Sequence, residues 1–412
     1  MKIAIVTPFY PSPSGEDAGG IGNHFHHLAQ GFLGEGHTVE VFQFPYTGEF
    51  QGTLEVEGVP VHRYGVSRPN WFSIRGFGRL ARITGFCDSY PSRGLFHLSK
   101  KVLQKDIQAR GFEVVEATSN RGLPYSYCRS RGNRLPVITR VSTTMAQHFR
   151  ENQQRPDVNQ ANEAWFEKEL IRMSNALVTH TRAHADELEE ELGIPANRFE
   201  IIPHGIGLPG TGELPAPVTD SAGTVTILYV GRFEERKGTD VLLAAIPKVL
   251  AECPDVKFQL AGSDPGGKWE EGFRAGNSSE VQQKVCFLGR VDDDERTRLY
   301  KACDIFVAPS RYESFGLVYA EAMGYGKPVI GCKAGGVPEV VGNEAGLLAG
   351  PGDAISLAGC IVRLAKDPGA RAKIGQAGRQ RVVSLFSREK MTRDTLALYR
   401  RVLSDMAPTG RN

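Results

Sequence analysis

Apolar positions along the chain follow two alternating rhythms. Residues 2–8, Lys-Ile-Ala-Ile-Val-Thr-Pro, form a short β-rich run closed by proline. The stretch beyond it repeats Phe25, Leu28, Ala29, Phe32 and Leu33 at helical spacing and stops at Gly34 and Gly36. Further strand-like runs lie at 38–44, 59–64, 113–118, 137–143 and 176–181, with helical patterns such as 95–108 and 162–173 between them. Strands that alternate with helices predict βαβ units, hence a parallel sheet covered on both faces. A Pro- and Gly-rich stretch at 203–223 interrupts the rhythm, which restarts as runs at 225–231, 256–261, 285–288, 305–308, 328–331 and 345–348, with a helix near 239–253. The segment 387–406 is helical in pattern and has no strand after it.

A chain of 412 residues is too long for one ordinary core and fits two domains of about 200 residues each. The expected division is 1–205, 206–386 and a terminal helix within 387–412, with a linker near 205–223. Each domain reads as α/β, a Rossmann-like, doubly wound parallel sheet. Such sheets bind ligands beyond the carboxyl ends of their strands, so two of them facing each other would enclose a cleft.

Composition narrows the class. Hydrophobic residues make up 41% and charged residues 23%, as in soluble globular proteins, and no apolar run approaches the roughly 18–20 residues that span a bilayer. The first strand begins at Lys2, so no secretory leader is expected. The seven cysteines, Cys87, Cys128, Cys253, Cys286, Cys303, Cys332 and Cys360, are scattered and never spaced C-x-x-C, which predicts buried free thiols in a cytoplasmic protein. The net charge of +2 hides an asymmetry: residues 51–150 hold 16 Lys and Arg against 6 Asp and Glu, and 151–200 hold 5 against 11. A basic surface there could contact an anionic partner, though solvated helix faces give similar counts. No zinc-finger or RNP-type pattern supports nucleic acid.

The densest chemistry lies in Pro309-Ser-Arg-Tyr-Glu-Ser-Phe-Gly-Leu-Val-Tyr-Ala-Glu321. It follows an apolar strand, and a helix is predicted from about Phe315 or Gly316 to Gly324. Glu313 then precedes the helix and Glu321 lies inside it. The backbone of Gly316, Leu317 and Val318 would offer N–H groups to an anion. Gly231-Arg-Phe-Glu-Glu-Arg-Lys-Gly238 follows the first strand of the second domain. Its Arg232 and Lys237 are expected to converge on one anion, as a diphosphate leaving group requires. No D-x-D metal pattern ends a strand, so a cationic clamp fits better and no metal or other cofactor is expected. Gly19-Gly-Ile-Gly22 opens the first helix and lets backbone approach a ligand. It is not a strict G-x-G-x-x-G, and no acidic residue ends the second strand, which weakens an oxidoreductase reading.

Together these three segments resemble the retaining glycosyltransferases of family 4, which have the GT-B fold and an E-x7-E motif. The match runs from Gly20 and Gly22 through Arg232 and Lys237 to Glu313 and Glu321, followed by Gly326-Lys-Pro-Val and Gly335-Gly-Val-Pro-Glu339. The resemblance implies metal-independent transfer of a hexose from a nucleoside diphosphate sugar, with uridine as the expected base, to an unidentified acceptor held by the first domain. Glu313 would contact donor-sugar hydroxyls and Glu321 the ribose. The backbone from Phe315 to Val318 would bind sugar and phosphate, Arg232 and Lys237 the diphosphate, and Arg290 the base. The terminal helix would cross back onto the first domain. One departure is plain: where many members end a first-domain strand with histidine, this chain has Ser142 or Thr143, and a hydroxyl cannot carry charge near neutral pH. His148, downstream, is expected on a solvent-facing helix position. His24 could reach the acceptor, and His204 suggests a hinge or packing role. The rival readings are a sugar-nucleotide binding protein without transferase activity and a nucleotide-sugar 2-epimerase.

Overall fold

The computed structural model describes residues 1–12, 19–46, 51–65, 95–130, 134–210 and 223–406. Two compact units emerge, Met1–Gly205 together with Arg388–Asn412, and Ile206–Ser387.

The first unit holds an eight-stranded sheet of order β3-β4-β2-β1-β5-β6-β7-β8. Its strands are β1 (Lys2–Thr7), β2 (Thr38–Gln43), β3 (Gly52–Val56), β4 (Val59–Arg63), β5 (Val114–Thr118), β6 (Val137–Arg140), β7 (Ala176–Thr179) and β8 (Phe199–Ile201). The sheet departs from the all-parallel expectation at one edge, where β3 pairs antiparallel with β4. The hairpin turn there uses positive φ at Glu57 and Gly58, the backbone that two-residue hairpins favour. Central strands are buried along their whole length, as in β5, because helices cover both faces. Under one face lie Phe25, Leu28 and Phe32 of the helix Gly19–Gly34 and Met391, Leu396 and Tyr399 of the helix Arg388–Met406. Leu103, Ile107, Tyr127 and Leu170 cover the other.

The C-terminal helix is joined to this sheet by buried polar bonds as well as by apolar packing. Arg140 on β6 donates from Nε to Glu116 Oε1 on β5 at 2.8 Å, and its Nη2 reaches Thr395 Oγ1 at 3.1 Å. Tyr399 donates to the other Glu116 oxygen at 2.6 Å. Arg140 is 2% exposed and Glu116 fully buried, so neither charge has water to fall back on.

The second unit is a six-stranded parallel sheet of order β11-β10-β9-β12-β13-β14, from β9 (Val225–Val230), β10 (Val256–Ala261), β11 (Val285–Gly289), β12 (Ile305–Val307), β13 (Val329–Cys332) and β14 (Gly346–Ala349). Residues of alternate parity on β9 enter opposite cores, Ile227 and Tyr229 on one side and Leu228 on the other. The cysteines among the described residues are all free, but Cys286 is exposed, against the expectation of burial. It sits on the edge strand β11, where an apolar run still leaves one face open. Among the described residues no helix is long and apolar enough to cross a membrane.

Removing one partner of a buried ion pair leaves the other charge stranded at a cost of about 3–5 kcal/mol. Glu116→Gln should therefore lower the stability of the first unit by about that amount in denaturant unfolding. The double replacement Glu116→Leu with Arg140→Met should recover most of it, and an equal loss in both variants would contradict this account.

Candidate functional site

In the second unit the loops after β9, β12 and β13 meet around one carboxylate. Backbone geometry brings them together. Gly238 has φ +68°, and a Cβ there would stand 2.0 Å from the Pro309 carbonyl oxygen. Gly335, at φ +50°, would place one 2.4 Å from the carbonyl oxygen of Glu313. That carbonyl also accepts from Gly336 N–H at 2.8 Å. Any larger residue at either position would force the loops apart.

Glu313 lies in the loop before the helix Leu317–Gly324, as the sequence predicts, and is 7% exposed. Lys237 Nζ is 2.5 Å from its Oε1, and Ser310 Oγ donates to the same oxygen at 2.9 Å. Arg236 Nη1 stands 3.7 Å from Oε2. Burial pushes the Glu313 carboxyl up, but Lys237 and then Arg236 outweigh it and hold it below the usual carboxylate range. Lys237 itself is lowered, first by burial and also by the neighbouring Arg236, despite the pull of Glu313.

Arg232 and Lys237, expected to converge on a bound anion, stand apart in this structure. The Arg232 side chain is 60% exposed, and its ion pair is with Glu234 at 3.4 Å. The cation that joins Lys237 at Glu313 is Arg236, which also donates to Glu234 at 2.7 Å and to the Tyr312 carbonyl at 3.4 Å. The Glu235–Lys237 segment is a 3-10 turn that turns Arg236 and Lys237 inward and leaves Arg232 on the rim.

Glu321 lies inside the helix, 20% exposed at its side chain. Its Oε2 accepts from Tyr300 at 2.8 Å and lies 4.0 Å from Arg296 Nε. Gly316 precedes the helix at φ +91°, and the leading N–H groups of a helix have no acceptor within it. Leu317 and Val318 pack partly into the core, while the Phe315 ring is wholly buried against Phe386. Arg290 is exposed just after Gly289.

In the first unit Gly20 and Gly22 fall in the first turn of the helix Gly19–Gly34. Ser142 is half-buried in the loop after β6. Next to it, Thr144 caps the helix Met145–Glu151 in a reciprocal pair with Gln147. Glu167, which motif reading passed over, ties two strand-end loops together: Ser119 donates to Oε1 and Met145 N–H to Oε2, both at 2.8 Å. His24 is not available to an acceptor. It is 2% exposed, and its Nδ1 lies 2.7 Å from Nδ1 of His204, whose ring stacks on His180 at 3.5 Å. His148 is half-buried beside Asn152.

The charge asymmetry of the sequence is partly cancelled by folding. Arg110, Arg121, Arg140 and Arg150 from the basic stretch pair with Glu40, Glu163, Glu116 and Glu191, two of which come from the acidic stretch. Arg75, Arg79 and Arg82 lie outside the described residues. Among the described residues no three His, Cys, Asp or Glu side chains gather in a group able to hold a metal ion.

Burial raises the Glu167 carboxyl to about 8 from an ordinary 4.5, against the pull of its two hydrogen bonds. A carboxyl that keeps its proton in the fold and loses it when unfolded costs stability as pH climbs from the unfolded value to the folded one. Glu167→Gln cannot titrate, so its melting temperature relative to wild type should rise from about pH 5 to about pH 8. A difference independent of pH would show that Glu167 is ionised in the fold.

Residues 215–381 match the family model described as Glycosyl transferases group 1, and residues 19–205 that of the Glycosyl transferase 4-like domain. A glycogen synthase of Mycobacterium tuberculosis is 27% identical over 97% of this chain and 94% of its own. A GDP-mannose-dependent monoacylated alpha-(1-6)-phosphatidylinositol monomannoside mannosyltransferase of Corynebacterium glutamicum is 35% identical over 47% of this chain and 54% of its own. The solved sucrose-phosphate synthase of Thermosynechococcus elongatus shares the fold, with a TM-score of 0.73 at 23% identity over 98% of this chain and 99% of that one. The chain is a glycosyltransferase of the family 4 type with the GT-B fold, a 4-like domain followed by a group 1 domain.

Proposed function

We propose that this glycosyltransferase moves a hexose from a uridine diphosphate sugar to a hydroxyl acceptor, with retention of configuration and without a metal ion. The observation that carries the reading is Glu313, a buried carboxylate kept ionised by Lys237 and Arg236 at the carboxyl end of the second sheet. An ionised carboxylate accepts hydrogen bonds from sugar hydroxyls, each worth roughly 1.5–3 kcal/mol. Lys237 faces both ways in this scheme. It holds Glu313 in the resting site and, with Arg232 at the rim, neutralises the diphosphate of the donor. The backbone of Phe315, Gly316, Leu317 and Val318 receives the phosphates at the helix start. Glu321 takes the ribose, and Arg290 sits by the base. The Gly20 and Gly22 backbone and the Ser142 hydroxyl serve the donor from the first domain, which also holds the acceptor. In the reaction the bond from the anomeric carbon to the diphosphate oxygen breaks, and the acceptor oxygen bonds to the same face. The acceptor proton passes to the departing phosphate.

Four measurements test this. Product configuration read by NMR should match that of the donor, and inversion would refute retention. Turnover should persist in excess chelator, whereas loss with EDTA and rescue by manganese or magnesium would contradict the cationic site. A screen of UDP-, GDP- and ADP-sugars should favour uridine, and turnover of GDP-mannose alone would replace that base. Within the site, Glu313→Gln should lower kcat at saturating donor by about ten- to a hundredfold, because its bonds are to the group that changes during transfer. An unchanged kcat with raised KM would move Glu313 to a spectator role.

A further inference from the structure

Glu321 belongs to the proposed donor site, but what fixes its carboxylate is a residue outside the motif. A glutamate on a helix rotates broadly about its terminal torsion, so a half-open carboxylate would present either oxygen in many directions. Here both contacts fall on one oxygen. Tyr300 donates its hydroxyl to Oε2 at 2.8 Å, and Arg296, one turn earlier on the helix Asp293–Ala302, stands 4.0 Å from the same atom while paired with Asp293 at 2.8 Å. Oε1 has no hydrogen-bond partner among the described residues.

Tyr300 is built as a fixed post. It is 2% exposed, its ring stacks on Tyr325 at 6.0 Å and leans on Phe306 of β12 at 5.7 Å. Burial, and then the charge of Glu321, push its phenol far beyond reach of ionisation, so it remains a donor at any working pH. A phenol has one hydrogen to give, and this one goes to Glu321.

We propose that Tyr300 is a positioning residue for nucleotide binding: it pins Oε2 of Glu321 so that Oε1 is left aimed to accept a ribose hydroxyl. The inference rests on the reading of Glu321 as the ribose acceptor. The ordering cost of the carboxylate is met when the protein folds, so it is not charged against the donor on binding.

The test uses the full chain with uridine and guanosine diphosphates, each compared with its 2′,3′-dideoxy counterpart by isothermal titration. Wild type should prefer the ribose form by about tenfold or more. Tyr300→Phe keeps the buried ring and should cut that preference by about three- to tenfold. It should raise donor KM while leaving kcat within about twofold. Glu321→Gln should abolish the preference, and adding Tyr300→Phe to it should change nothing further. If Tyr300→Phe weakens ribose and dideoxy forms alike, or neither, while Glu321→Gln still removes the preference, the positioning role is overturned and the ribose reading stands. Should Glu321→Gln retain the wild-type preference, the ribose reading falls and the proposal with it. Thermal melting of the ligand-free variants separates a packing defect, which would lower both affinities equally and so also count against the proposal.

Discussion

A carboxylate without bulk water must be paired, and the second unit is arranged around that requirement at Glu313. Arg236 and Lys237 are neighbours in sequence and repel each other, so each needs an anion; Glu234 and Glu313 supply them. Burial works against the Glu313 charge, and those cations offset it. The loops carrying these groups come from strand ends more than seventy residues apart in sequence. Only residues without a side chain at Gly238 and Gly335 allow the backbones to approach closely enough. The ion pairs and the loop contacts therefore depend on one another. A parallel sheet makes the arrangement possible, since all its strands deliver their loops to the same edge.

Two buried carboxylates of the first unit solve the same problem differently. Glu116 is matched by Arg140 and given a phenol and a hydroxyl-bearing helix as neighbours. Glu167 has hydrogen-bond donors but no cation in contact among the described residues, and burial raises its carboxyl so that it holds its proton. Both use polar bonds to fix pieces of chain that apolar packing alone would leave free to slide: a terminal helix in one case, and the loops after β5 and β6 in the other.

The legible parts of the sequence were those whose burial is decided locally. Strands such as β5 and β9 are enclosed on both faces, so their apolar runs mark them without ambiguity. The strand β3 is exposed over most of its length and carries no such run, and β8 has three residues; neither could be read. Glu313 and Glu321 stood out because spacing along a loop and helix is a local property. Which cation joins Lys237 at Glu313 was not a local matter. It depends on a single 3-10 turn and on Glu313, which lies 76 positions further along the chain. Tyr300 was hidden for the opposite reason, since an aromatic residue on the inner side of a helix reads as core, and only its hydroxyl reveals a second task. Cys286 misled because an apolar run does not say whether its strand is central or at an edge.

The return of the final helix to the first unit makes that unit discontinuous, while Ile206–Ser387 is one unbroken stretch. During synthesis the first 205 residues leave the ribosome long before the helix that completes them. Until Thr395 and Tyr399 arrive, the Arg140–Glu116 pair lacks two of its partners and one apolar face of the sheet lacks Met391 and Leu396. The second unit has every strand of its own sheet by then. The unit made later can thus close without waiting for any further chain, whereas the one made earlier keeps an uncovered sheet face until residues 388–406 follow.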